Sequence, residues 1–225
     1  MEVGSNKGYG ISEMLAMLTG DGRLTPQALE ASLTADIAEN RSNSKAYGLC
    51  GACCDCQRPS SGAAFPQKYR AASVKVIAFD IVADSINWVK RYFHHWDVTA
   101  SVAGAGESDT SPPLVLSSKI SMTAEGFSLT GSDGRAGKPP EGPFVSVPVK
   151  TLPTLLSRGL HVDFLSIDAE GFDAAVLSGA REMFLTRKIS VVVFEIQPIV
   201  KSKSSRYKSL RSVVADLETI AHVER

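Results

Sequence analysis

The run VDFLSIDAEGFDAAVLSG at residues 162–179 limits what this chain can fold into more than any other stretch. Val162, Phe164, Leu165 and Ile167 make a short apolar run of the kind found where both faces of a parallel strand are covered. Phe172, Ala175, Val176 and Gly179 then fall at i, i+3, i+4 and i+7, giving a helix one narrow face to pack on a sheet. Between strand and helix stand two carboxylates, Asp168 and Glu170. Open α/β sheets bind ligands beyond the carboxyl ends of their strands, so both acids occupy the default position for chemistry. A plainer account fits the same residues, with Asp168 as a helix cap and Glu170 complementing the positive N-terminal dipole.

The start of the chain favours the chemical reading. In MEVGSNKGYGISEMLAML an acid, Glu2, precedes Gly4, Asn6 and Gly8 at alternate positions, and Ile11, Met14, Leu15 and Leu18 follow at helical spacing. This is a glycine-rich turn opening a helix, where small residues let a ligand approach the backbone. The dinucleotide fingerprint GxGxxG fails in both registers: from Gly4 the later glycine positions hold Asn6 and Tyr9, and from Gly8 and Gly10 the third holds Glu13. The turn therefore points to a cofactor without a pyrophosphate. A nicotinamide-dependent oxidoreductase would use the same architecture, and the failed fingerprint counts against it. A noncatalytic Rossmann-like binding domain is the other alternative.

Two more strands end in acids. VKVIAFD at residues 74–80 closes on Asp80, after which Ile86, Val89 and Phe93 mark one face of a helix. An acid at the end of a second strand is where nucleotide-binding folds grip a ribose diol. Such an acid is expected to be exposed and to contribute little to stability. A plain helix cap is the competing role for Asp80. Residues 98–102 give a third short strand, followed by AGAGESD, a flexible polar stretch suited to lie near an adenine. ISVVVFE at residues 189–195 is a fully apolar strand that ends in Glu195.

At this point the chain resembles a known family. EVGSNKGYG, VIAFD, SVPVKTLPTLL and above all VDFLSIDAEGFDAAVLSGA followed by VVVFEIQP are similar to the FkbM-type methyltransferases. The resemblance implies a Rossmann-like class I methyltransferase fold, a mostly parallel central sheet flanked by helices, and S-adenosyl-L-methionine as cofactor. It places Glu2, Gly4, Ser5, Asn6 and Gly8 along the methionine end of that cofactor, Asp80 on its ribose, and Ile81 and Ala103 among its other contacts. It implies methylation of a hydroxyl on a small molecule, glycan or lipid, with Asp168, Glu170 and Glu195 as the candidate catalytic carboxylates. A more distant resemblance to magnesium-dependent catechol O-methyltransferases implies a magnesium site on Asp168 and Glu195, with Gln197 or Glu170 adding an oxygen. One departure is Pro153, which stands where the family usually has an acid, although Pro is tolerated in a first helical turn. A second is the long segment between the glycine turn and VIAFD.

That segment, residues 21–73, reads as a helix, TPQALEASLTADIAE, with Thr25 as its cap and Pro26 at its first position, plus a cysteine-rich loop. Cys50, Cys53, Cys54 and Cys56 form overlapping CxxC pairs, which invite a zinc reading against a reactive or disulfide-forming surface loop. Residues 104–148, rich in Gly, Ser and Pro, read as a flexible loop region near the acceptor. His161 sits before its strand, at the wrong end for catalysis.

The chain of 225 residues, 44% hydrophobic, is long enough for one sizeable core, and a single domain over residues 1–225 is expected. Its formal net charge of +0 leaves no electrostatic footprint for nucleic acid or an anionic membrane. No apolar run approaches the ~18 residues of a bilayer span and no signal peptide is visible, so a cytoplasmic location is the default. Only Met1, Glu2 and Val3 precede the turn, whereas a central strand needs about five residues. The last amphipathic helix stops at HVER, where a sixth strand is due, so a fragment truncated at both ends is expected. Oligomeric state is not legible.

Overall fold

The computed structural model describes residues 1–39, 73–117, 144–156, 159–169, 172–194 and 210–220. Its centre is a five-stranded parallel sheet of β1 (Glu2–Val3), β2 (Lys75–Asp80), β3 (Asp97–Val102), β8 (Val162–Ile167) and β9 (Ile189–Phe194), in the order β3-β2-β1-β8-β9. The chain thus winds outward from β1 in one direction, then returns to lay β8 on its other side. That reversal is the topological switch point, where open α/β sheets bind their ligands. The mostly parallel Rossmann-like fold expected from the sequence is the fold observed.

Each face of the sheet has its own core, because side chains alternate along a strand. On β2, Val76 and Ala78 face α1 (Tyr9–Thr19), α2 (Pro26–Glu39) and α3 (Ala83–Tyr92), and they pack with Ile11, Leu15, Leu29, Leu33, Ile86, Val89 and Phe93. Phe79 faces the other way, into a cluster with Val3, Leu165 and Ile167 and with residues of α4 (Leu152–Leu155), α5 (Asp173–Gly179), α6 (Arg181–Leu185) and α7 (Leu210–Ile220). The expected cap of α2 is present, with Ala28 N–H donating to Thr25 Oγ1 at 3.1 Å.

On β9, the strand expected from the apolar ISVVVFE run, Val191 and Val193 are 48% and 51% exposed. Among the described residues only the face carrying Val192 and Phe194 is packed. Within residues 104–148, expected to be a flexible loop region, the described parts at 104–117 and 144–148 carry short strands. β4 (Gly104–Ala105) pairs in parallel with β7 (Val149–Lys150), and β5 (Leu114–Ser117) pairs antiparallel with β6 (Phe144–Val147). No helix of the described residues is long and apolar enough to cross a membrane.

Candidate functional site at the switch point

The glycine turn is built from left-handed backbone at alternate positions: Gly4 has φ +81°, Asn6 +41° and Gly8 +84°. Gly and Asn are the residues that adopt this region most readily. The turn folds onto the end of β2. Gly4 N–H and Ser5 N–H both donate to the Phe79 carbonyl, at 2.8 and 3.2 Å, and Gly8 N–H closes the loop on the Ser5 carbonyl at 2.7 Å. Asp80 completes the junction, accepting Asn6 N–H on Oδ2 at 2.6 Å and Val82 N–H on Oδ1 at 2.8 Å. From α3, the Trp88 indole donates to the Lys7 carbonyl at 3.0 Å. Gly4 is required for a second reason, since a Cβ there would collide with the carbonyl oxygen of Asp168.

Burial dominates the electrostatics. Glu2 is 4% exposed and lies against the first turn of α1, so close that a Cβ at Gly10 would collide with its Oε1. Among the described residues Oε2 of Glu2, Oγ of Ser5 and Oγ of Ser12 have no hydrogen-bond partner. Burial pushes the Glu2 carboxyl up to about 8; the Met1 amino group opposes this, and the charges of Asp168, Asp80 and Glu13 add to it. Burial also raises Asp80, against the lowering effect of the N–H groups of Val82, Asn6 and Ile81. Asp80 is therefore not the exposed strand-end acid expected. At 7% exposure it is a structural tie between β2 and the turn.

A sequence model of the Methyltransferase FkbM domain matches residues 50–217, more than half the chain. The chain belongs to this family. No curated protein and no solved structure matches it. The FkbM match begins after β1 and the turn, so what joins these to the matched region is tertiary: the hydrogen bonds to Phe79 and Asp80, and β1 pairing with both β2 and β8.

Of the other residues expected from the FkbM resemblance, Ile81 follows Asp80 and is half-buried, and Ala103 is buried with its N–H on the Asp80 carbonyl at 3.0 Å. Asp168 is exposed one residue past β8, and its N–H donates to the Val3 carbonyl at 2.9 Å. It is not the cap of α5, whose N-cap is Phe172. Glu170, Glu195 and Gln197 lie outside the described residues, as do Cys50, Cys53, Cys54 and Cys56. Among the described residues no group of three or more His, Cys, Asp or Glu can hold a metal ion. The magnesium site on Asp168 and Glu195 rests in part, and the cysteine zinc site wholly, on residues outside the described ones, and neither has support here.

Sequence reasoning overlooked three features. Lys7, within the turn, is only 1% exposed, and nothing in its neighbours marks it as buried. Ser12 is fully buried on α1; its place beside Ile11 is the one available hint. The third concerns Pro153. The Asp109 carboxylate sits at the start of α4, next to the turn that holds Pro153. It accepts Thr151 N–H at 2.8 Å, Thr151 Oγ1–H at 3.0 Å and Thr154 Oγ1–H at 2.6 Å. These bonds hold Asp109 below the ordinary carboxylate value.

Proposed function

We propose that this FkbM methyltransferase uses S-adenosyl-L-methionine to methylate a hydroxyl oxygen of a small molecule, glycan or lipid. The observation that carries the cofactor assignment is the pair of buried polar atoms without a partner among the described residues, Glu2 Oε2 and Ser5 Oγ, at the end of the central strand. A buried polar group without a partner costs about 1–3 kcal/mol, so a polar ligand that satisfies both would recover that cost. The cofactor's ammonium and hydroxyl donors suit a carboxylate and a serine. The failed GxGxxG spacing of the turn suits a ligand lacking a pyrophosphate.

Bound there, S-adenosyl-L-methionine supplies an electrophilic methyl group for in-line displacement. The protein's own task is then alignment and proton handling. Gly4, Ser5, Asn6 and Gly8 form the cradle, Ile81 and Ala103 flank it at the ends of β2 and β3, and Asp80 fixes the turn while offering its remaining lone pairs to a ribose diol. Asp168, exposed beyond the neighbouring strand, takes the proton of the acceptor hydroxyl, and Glu170 and Glu195 orient the acceptor.

Calorimetry with S-adenosylhomocysteine against NAD tests the cofactor, with binding of the first alone expected. Incubation with cell extract and mass spectrometry for the gain of one methyl tests the reaction. Loss of that product in Asp168→Asn is expected; full activity in this variant would remove Asp168 as the base. Cofactor binding without transfer to any sugar, lipid or small-molecule acceptor would identify a noncatalytic binding domain instead.

A further inference from the structure

Among the described residues, the charged groups whose fields act on Glu2 are the Met1 amino group on its own strand, Asp168 beyond β8, Asp80 at the end of β2 and Glu13 on α1. Three of these are acids, and Glu2 itself lies sealed against Gly10 with Oε2 unpartnered among the described residues. Ser5 Oγ, 2% exposed, adds a second unpartnered atom in the adjoining turn. A carboxylate in such a place is disfavoured in its charged form by both desolvation and its acidic neighbours. A ligand that brings a cation reverses the balance. The type of cation matters, because a primary ammonium donates hydrogen bonds to an orphaned oxygen and a sulfonium has none to donate.

Resting on the cofactor reading above, we propose that Glu2 is a neutral acid in the ligand-free enzyme and gives its proton to solvent when the amino-acid ammonium of the cofactor docks on it. Binding of amine-bearing adenosyl ligands is then a proton-releasing step. Affinity rises with pH by up to about tenfold per unit. The rise ends where Glu2 ionises unaided, at about 8, and where an α-amino group itself loses its proton, at about the same pH. The carboxyl O–H bond breaks, its proton passes to buffer, and the ammonium keeps its own protons.

The test is calorimetry on the wild-type protein at about pH 6.5 in two buffers of different ionisation enthalpy, which reads protons released per ligand bound. Three ligands serve as arms: S-adenosylmethionine with sulfonium and ammonium, S-adenosylhomocysteine with ammonium only, and methylthioadenosine with neither. About one proton is expected with each of the first two and none with the third. Glu2→Gln is expected to bind S-adenosylhomocysteine with no buffer dependence. Release with S-adenosylmethionine alone would assign the sulfonium and overturn the ammonium role. Release with methylthioadenosine, or equal heats in both buffers for ligands that do bind, would overturn the proposal and leave the cofactor reading standing. Binding of none of the three would overturn both.

Discussion

Asp80 and Asp109 each accept a backbone N–H from a segment far away in sequence, Asp80 from Asn6 and Asp109 from Thr151, yet their carboxyls shift in opposite directions. Asp80 sits at the switch point, 7% exposed, and burial raises it despite its bonds. Asp109 sits in solvent at the start of α4, and there the same kind of bond lowers it. Hydrogen bonds favour the charged form in both places, and desolvation decides the sign only where water is excluded. The lesson is that the two clasps are built alike and differ in what water does. The turn at the switch point carries buried polar atoms unpartnered among the described residues, as a ligand site does, whereas the Asp109 carboxylate accepts three bonds at the start of α4.

The contrast is broken most severely at Gly4. Gly4→Ala combines a positive φ with a collision against the Asp168 carbonyl, and is expected to destabilise by roughly 3–5 kcal/mol and to abolish cofactor binding. Denaturant titration showing less than about 1 kcal/mol would mean that the turn yields easily. Next comes Asp80→Ala, which strands the N–H groups of Asn6 and Val82. A loss of roughly 2–4 kcal/mol is expected, with Asp80→Asn milder because one acceptor survives. An unchanged melting temperature in the alanine variant would return Asp80 to the role of an exposed strand-end acid.

Glu2 sharpens the comparison through pH. Its folded value lies above its ordinary 4.5, so its contribution to stability is full below 4.5 and is lost as pH rises through about 8. Asp80 is shifted in the same direction, and the lowered Met1 amino group pulls stability the other way below its ordinary 8.0. Both groups are present in wild type and in Glu2→Gln, so the difference between their stability curves reports Glu2 together with its coupling to Met1 and Asp80. That difference is expected to slope against wild type between pH 4.5 and 8, and a flat difference would show Glu2 to be hydrated. The smallest effect belongs to Asp109→Ala, a solvent-exposed clasp, whose melting temperature is expected to fall less than that of Asp80→Ala. Because Asp109 is lowered, its contribution is present above 3.8 and lost as pH falls, the reverse of Glu2. Chemical denaturation at neutral and acid pH checks the sign.

Much of this was legible from local pattern. The runs around residues 74–80, 98–102, 162–167 and 189–195 became β2, β3, β8 and β9, because short apolar runs between turn residues leave few other choices. Thr25 and Pro26 start α2 as their side chains dictate. The spacing of Gly4, Asn6 and Gly8 marks the left-handed residues of the turn one by one. What failed did so where exposure was inferred from residue type. Asp80 reads as an exposed strand-end acid and is buried.

The sequence by itself thus determined where strands, helices and the tight turn lie, since periodicity, capping and left-handed backbone are settled by a residue and its near neighbours. Only the tertiary structure decided which acids are dry. The β1 strand is two residues long, and it is the inner member of the sheet because β2 and β8 close on it from both sides. That closure buries Glu2 and Asp80 and leaves Asp168 in water. Desolvation is a property of everything packed around a group, and no neighbouring letter in the chain encodes it.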